Sequence, residues 1–125
     1  FIDKEIVLED LSEFDFSKAH IGLFSPGGKI SAEFAPKAAK AGCIVIDNTS
    51  HFRMQQNIPL IVPEVNANAL DYFFDDENRT NIISNPNCST IQMVVALKPL
   101  HDKAIINRVV VSTYQAVSGA GKTGM

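Results

Sequence analysis

Apolar positions along the chain fall into short continuous runs separated by stretches of helical spacing. Ala19-His-Ile-Gly-Leu-Phe-Ser25 reads as a buried strand that ends in the turn Ser25-Pro26-Gly27-Gly28. Ser31–Ala41 carries Phe34, Ala35, Ala38 and Ala39 on one side, which predicts a helix with Ser31 as N-cap and Gly42 as the residue just past its end. Cys43–Asp47 is the next apolar strand. Shorter strands are predicted at Ile6–Leu8, at Leu60–Val62 before Pro63, and at Ile82–Ser84 before Asn85-Pro86-Asn87. Ala67–Phe74 reads as a short helix capped by Asn66, and Asp75–Asn81 as an acidic surface loop. Thr90–Leu97 reads as a largely buried helix with Pro99 near its end, and Val109–Val117 as a strand rich in β-branched residues.

This alternation predicts a parallel sheet with helices on its faces. In such sheets ligands bind beyond the carboxyl ends of the strands. Three turns are predicted at such ends, at 25–28, 48–53 and 85–89, so three independent segments converge on one edge.

Composition narrows the classes. The 125 residues fit one domain, and 46% hydrophobic with 20% charged residues argues for a globular chain. A net charge of −3 with no Lys/Arg run excludes a basic field for nucleic acid. No apolar stretch approaches the ~18 residues of a membrane span. Asp3, Lys4, Glu5, Glu9 and Asp10 interrupt any signal-peptide core, so a cytoplasmic location is expected. The two cysteines lie far apart with no CxxC pair, which gives no metal-site spacing and no metal is expected. His20, His51 and His101 read as surface or core residues. The opening Phe1 without Met and the glycine-rich close at 118–125 read as the ends of an internal piece of a longer protein.

The segment Asn85-Pro-Asn-Cys-Ser-Thr90 carries the chemistry. Pro86 disfavours helical backbone at Asn85, so Cys88 is expected at or just before a helix N-terminus. Unpaired N–H groups and the helix dipole favour an anion there, and the thiolate is the nucleophilic form of cysteine. The same N–H groups suit an oxyanion formed by attack on a carbonyl carbon. A structural alternative is that Asn87 or Ser89 only caps a helix. Cys43, within an apolar run, reads as a core residue.

The stretch from Asn85 through Cys88 to Pro99 and Leu100 resembles the nucleophile segment of bacterial aspartate-semialdehyde dehydrogenases. Ser25-Pro-Gly-Gly28 resembles that family's Ser-Ala-Gly-Gly turn. Val45-Ile-Asp-Asn-Thr-Ser-His-Phe-Arg-Met54, Pro59-Leu-Ile-Val-Pro-Glu-Val-Asn66 and Val109-Val-Val-Ser-Thr-Tyr-Gln-Ala-Val-Ser-Gly-Ala-Gly121 follow the family's order as well. Pro26 departs from the family's Ala and removes one backbone N–H.

The resemblance implies NADPH-dependent reduction of β-aspartyl phosphate to aspartate semialdehyde and phosphate, a step toward lysine, methionine, threonine and isoleucine. Cys88 would form a thioester, with Arg53 toward phosphate and Gln115 toward substrate; read directly, the Asn87 amide could donate to the same phosphate or to the oxyanion, against an ordinary Pro-Asn turn. Ser25, Pro26, Ser118 and Gly119 would contact NADP. Read directly, Arg53 offers a guanidinium fork suited to phosphate, against a plain surface Arg. Gln115 in an apolar strand needs hydrogen-bond partners from the protein or from a ligand.

The expected architecture is α/β: residues 1–87 form part of an NADP-binding Rossmann-like domain whose first βαβ portion is missing, and residues 88–125 begin an α+β catalytic and dimerisation domain. No GxGxxG occurs, and the family's base, a His, falls later. These 125 residues alone are therefore expected to be inactive, whereas the full-length enzyme is expected to be a homodimer. The alternative is a paralogue that binds nucleotide or a partner without catalysis.

Overall fold

The computed structural model describes residues 5–75, 77 and 80–119. Packing divides the chain into two compact units, Phe1–Asn87 and Cys88–Met125.

The first unit is built on a three-stranded parallel sheet, β1 (Ile21–Phe24), β2 (Ile44–Asp47) and β3 (Ile82–Ser84), in the spatial order β1-β2-β3. Gly22 pairs with Val45 and Val45 with Ile82, whereas Phe24 pairs with Asp47 and Asp47 with Ser84. Side chains alternate along a strand, so these two rows point to one face of the sheet. That face packs on helix α1 (Gly28–Lys40), and Phe24, Ala35, Ala38, Ala39, Cys43, Val45, Phe52, Ile58 and Ile82 form its core. A smaller cluster of Ile61, Phe73 and Ile83 covers part of the other face, joined by Ile44, Ala69 and Leu70. Ala69 and Leu70 belong to α3 (Ala69–Asp75), which follows the single turn α2 (Pro63–Asn66). The cover stops short of β1, where Ile21 is 61% and Leu23 80% exposed.

Helix α1 begins a turn earlier than its sequence pattern predicts. The Ser31 N–H donates to the Gly27 carbonyl at 3.0 Å, a helical bond, so Ser31 lies inside the helix. Gly27, at φ 96°, occupies the N-cap position without any side-chain cap. A left-handed backbone of that kind suits glycine and few other residues. Pro36 sits within the helix, which continues through it to Ala41 and then Gly42 at φ 93°. Gly42 is the left-handed residue just past the helix, as predicted.

Other predicted elements change. Residues 6–8 have no regular structure and are exposed. Leu60–Val62 makes one parallel bridge, Leu60 to Ser84, rather than a strand. Prolines 59 and 63 bracket it, and Pro63 opens α2, which leaves too few residues to extend a ladder. The predicted helix over 67–74 is α3, shifted to Ala69–Asp75, and Asn66 does not cap it. The Asn66 side chain instead accepts from the Val62 N–H at 2.8 Å and donates to the Leu60 carbonyl at 3.0 Å. The predicted 75–81 loop falls partly outside the described residues.

The second unit holds helix α4 (Cys88–Lys103), longer at both ends than predicted and running through Pro99. None of its residues is fully buried, which corrects the expectation of a largely buried helix. Its C-terminal side carries a Lys98–Asp102 ion pair at 2.6 Å, and the Ile106 N–H donates to His101 Nδ1 at 3.3 Å. The predicted strand at 109–117 is absent: residues 105–116 have no regular structure and 117–119 form a 3-10 turn. A strand exists only through its ladder, and no described strand pairs with this segment.

Candidate active site

The carboxyl ends of β1, β2 and β3 lead into the segments that carry Ser25 and Pro26, residues 48–53, and residues 85–87. The parallel register brings these three turns to one edge of the sheet, as the sequence pattern predicts. Backbone bonds continue the ladder into them: the Asn48 N–H donates to the Phe24 carbonyl and the Asn85 N–H to the Asp47 carbonyl, each at 2.8 Å.

Ser25 and Pro26 are exposed and immediately precede the uncapped start of α1. Several N–H groups in the first turn of a helix have no intrahelical acceptor, and with the helix dipole they suit a phosphate. A Cβ built on Gly27 would meet no atom within 4 Å, so the turn is open on that side. The residues present therefore fit an anionic stretch of a dinucleotide.

Arg53 is half-buried. Its Nε donates to the Asn85 carbonyl at 2.8 Å and its Nη2 to the Asn48 carbonyl at 3.0 Å. One guanidinium thus ties the segment after β2 to the turn after β3. A guanidinium has five N–H donors. Nη1 makes no hydrogen bond to the described residues, which leaves a charged donor end for an anion.

Asp47, the last residue of β2, is fully buried. Its Oδ1 accepts from Ser31 Oγ at 2.6 Å, and its Oδ2 accepts from Thr49 Oγ1 at 2.7 Å and from the Thr49 N–H at 3.2 Å. The sequence pattern gives Asp47 no role beyond closing a strand and predicts Ser31 as a helix cap. The available signal was an acidic residue closing an apolar strand, which must find donors if it is buried.

Cys88 is the first residue of α4 and is exposed, whereas Cys43 is buried at 1% exposure. Burial pushes the Cys43 thiol above the usual cysteine range. Asn87 is half-buried, and His20, His51 and His101 are exposed. Gln115 is exposed in an irregular stretch, which corrects the expectation of a buried strand residue. Its side chain lies over Gly119, filling the space that a Cβ there would occupy, so the two predicted contacts are neighbours. Ser118 and Gly119 lie in the exposed 117–119 turn, closed by a bond from the Gly119 N–H to the Ala116 carbonyl at 2.9 Å. Among the described residues no group of three or more His, Cys, Asp or Glu could hold a metal, and no helix is long and apolar enough to cross a membrane.

Comparison with known proteins fits this arrangement. The semialdehyde dehydrogenase NAD-binding domain matches residues 2–72, and the semialdehyde dehydrogenase dimerisation domain matches residues 97–125. Aspartate-semialdehyde dehydrogenase 2 of Vibrio cholerae is 58% identical over 125 residues, which is all of this chain and 36% of that protein. Aspartate-semialdehyde dehydrogenase of Bacillus subtilis is 52% identical over 121 residues, 97% of this chain and 33% of that protein. The chain thus spans about a third of the length of these relatives. A crystal structure of Vibrio cholerae aspartate semialdehyde dehydrogenase II, complexed with ASA, superimposes at a TM-score of 0.82 with 59% identity, covering 93% of this chain and 33% of that one. The Francisella tularensis enzyme superimposes at 0.71 with 26% identity, covering 92% and 31%. By its matched domains, its sheet and the turns that the sheet carries, the chain belongs to the semialdehyde dehydrogenase family.

Proposed function

We propose that these residues belong to an NADP-dependent, homodimeric, cytoplasmic aspartate-semialdehyde dehydrogenase that reduces β-aspartyl phosphate to aspartate semialdehyde and phosphate. Residues 1–87 are part of its cofactor domain, and residues 88–125 open its catalytic and dimerisation domain. The observation that carries this reading is the position of Cys88. It is an exposed thiol on the first residue of a 16-residue helix, three residues after an Asn85 carbonyl that Arg53 holds.

The Cys88 thiolate attacks the acyl carbon, the carbon–oxygen bond to phosphate breaks, and a thioester forms as phosphate leaves. First-turn N–H groups of α4 are the donors for the oxyanion of that attack. Arg53, through Nη1, and Asn87 receive the phosphate; Gln115 orients the acyl chain. Ser25, Pro26 and the start of α1 would hold the anionic part of NADP, and Ser118 and Gly119 would serve its nicotinamide end. When bound, NADPH would supply the hydride that reduces the thioester, and Cys88 leaves as the thiolate as the aldehyde is released.

The test is a single-turnover reaction of the full-length enzyme with intact-mass detection of the acyl-enzyme. Cys88→Ser should abolish the adduct while NADP binding stays within about twofold, because a hydroxyl is scarcely ionised at neutral pH. An adduct that persists at the wild-type rate, or maps to another residue, refutes the assignment.

A further inference from the structure

We propose that Asp47 is a positioning residue for phosphate use, acting through Thr49 on the loop that presents Arg53. This rests on the reading of Arg53 as a phosphate ligand. Asp47 contacts three separate parts of the unit. Oδ1 accepts from Ser31 in α1, Oδ2 accepts from the Thr49 hydroxyl and N–H, and its own carbonyl accepts from the Asn85 N–H. The chain of bonds continues, since the His51 N–H donates to Thr49 Oγ1 at 3.3 Å. Two residues further on, Arg53 returns to the Asn48 and Asn85 carbonyls. The 48–53 loop is therefore fixed at its start by a buried carboxylate and closed on itself by the guanidinium.

A fully buried carboxylate is costly unless its oxygens are saturated with donors, and no Lys, Arg or His side chain pairs with this one among the described residues. An apolar residue would suit a strand end equally well for packing alone. A carboxylate with one oxygen on α1 and the other on the loop does what an apolar residue cannot. It sets the direction of the loop relative to the helix with short, directional bonds. Positioning errors of about 1 Å in such a group can cost on the order of 10²-fold in rate.

The experiment uses the full-length enzyme in the oxidative direction, with inorganic phosphate as the varied substrate. Thr49→Val keeps the buried shape and removes the hydroxyl, and with it the short bond to Asp47 and the acceptor of the His51 N–H, leaving only the Thr49 N–H on the carboxylate. We expect KM for phosphate to rise about tenfold, the loss of a bond of roughly 1.4 kcal/mol, with the affinity for NADP unchanged. Thr49→Ser, which keeps the hydroxyl, should restore KM to within about twofold. Asp47→Asn should be milder than Asp47→Leu, because its amide can donate to Ser31 Oγ while its carbonyl accepts from Thr49. Arg53→Ala serves as the reference. If it raises KM for phosphate while Thr49→Val leaves KM unchanged and lowers only the melting temperature, Asp47 and Thr49 are structural and the proposal is overturned. If Arg53→Ala itself leaves KM unchanged, the reading of Arg53 as a phosphate ligand fails first.

Discussion

Cys43 and Cys88 carry the same side chain in opposite surroundings. Cys43 precedes β2 under α1, its Sγ 3.2 Å from where a Cβ on Gly22 would lie, and burial raises its thiol. Cys88 is exposed on the first residue of α4. Limiting iodoacetamide at neutral pH should therefore label Cys88 at least tenfold faster than Cys43, read by peptide mass spectrometry, since alkylation requires an accessible thiolate. Equal labelling would show that the core around Cys43 opens readily. Asp47 and Arg53 make a second contrast. Neither forms an ion pair among the described residues: the Asp47 carboxylate is satisfied by hydrogen bonds within the unit, whereas Arg53 bonds through Nε and Nη2 and keeps Nη1 without a partner there. Both shape the 48–53 loop, and neither pairs with the other.

Among the elements, α1 shows how backbone conformation overrides side-chain preference. Its start is set by Gly27 and its end by Gly42, both left-handed, and Ser31 is drawn inward to Asp47. Gly42→Ala meets no steric obstacle, because nothing lies within 4 Å of an added Cβ. Its cost is purely conformational and should be about 1 kcal/mol, measured as a lower midpoint in urea without a change in slope. A larger loss with a changed slope would indicate that α1 has shifted its end. The Pro59–Pro63 segment shows the same point in reverse: an apolar run of strand composition is held to one bridge by the residues on either side of it.

For the whole molecule, order is uneven. The first unit has two rows of core side chains on one face of a three-stranded sheet, whereas residues 105–116 lack regular structure and most are exposed. Backbone amides in strands under a helix exchange only on larger openings, whereas exposed irregular amides exchange freely. Hydrogen–deuterium exchange should protect the amides of Val45, Ile46 and Asp47 at least 10²-fold over those of 109–116. Comparable protection of both segments would mean that 109–116 pairs as a strand in solution. Its β-branched composition is what made a strand the expectation, and an apolar segment without a ladder is an association hazard in its own right.

The sequence by itself determined the parallel α/β character, three strand positions, the end of α1 before Gly42, and a helix N-terminus at or just after Cys88. These follow from local rules: apolar runs, left-handed glycine, and the restriction that Pro86 places on Asn85. Matching motifs in order also make the family legible. Tertiary structure alone decided that Ser31 serves Asp47 and not a helix cap, that Asn66 closes its own turn, and that Arg53 grips the Asn48 and Asn85 carbonyls. The physical reason is common to all three. A polar side chain has several possible partners of nearly equal worth, and the choice among them depends on which donors and acceptors the packed sheet brings within about 3 Å.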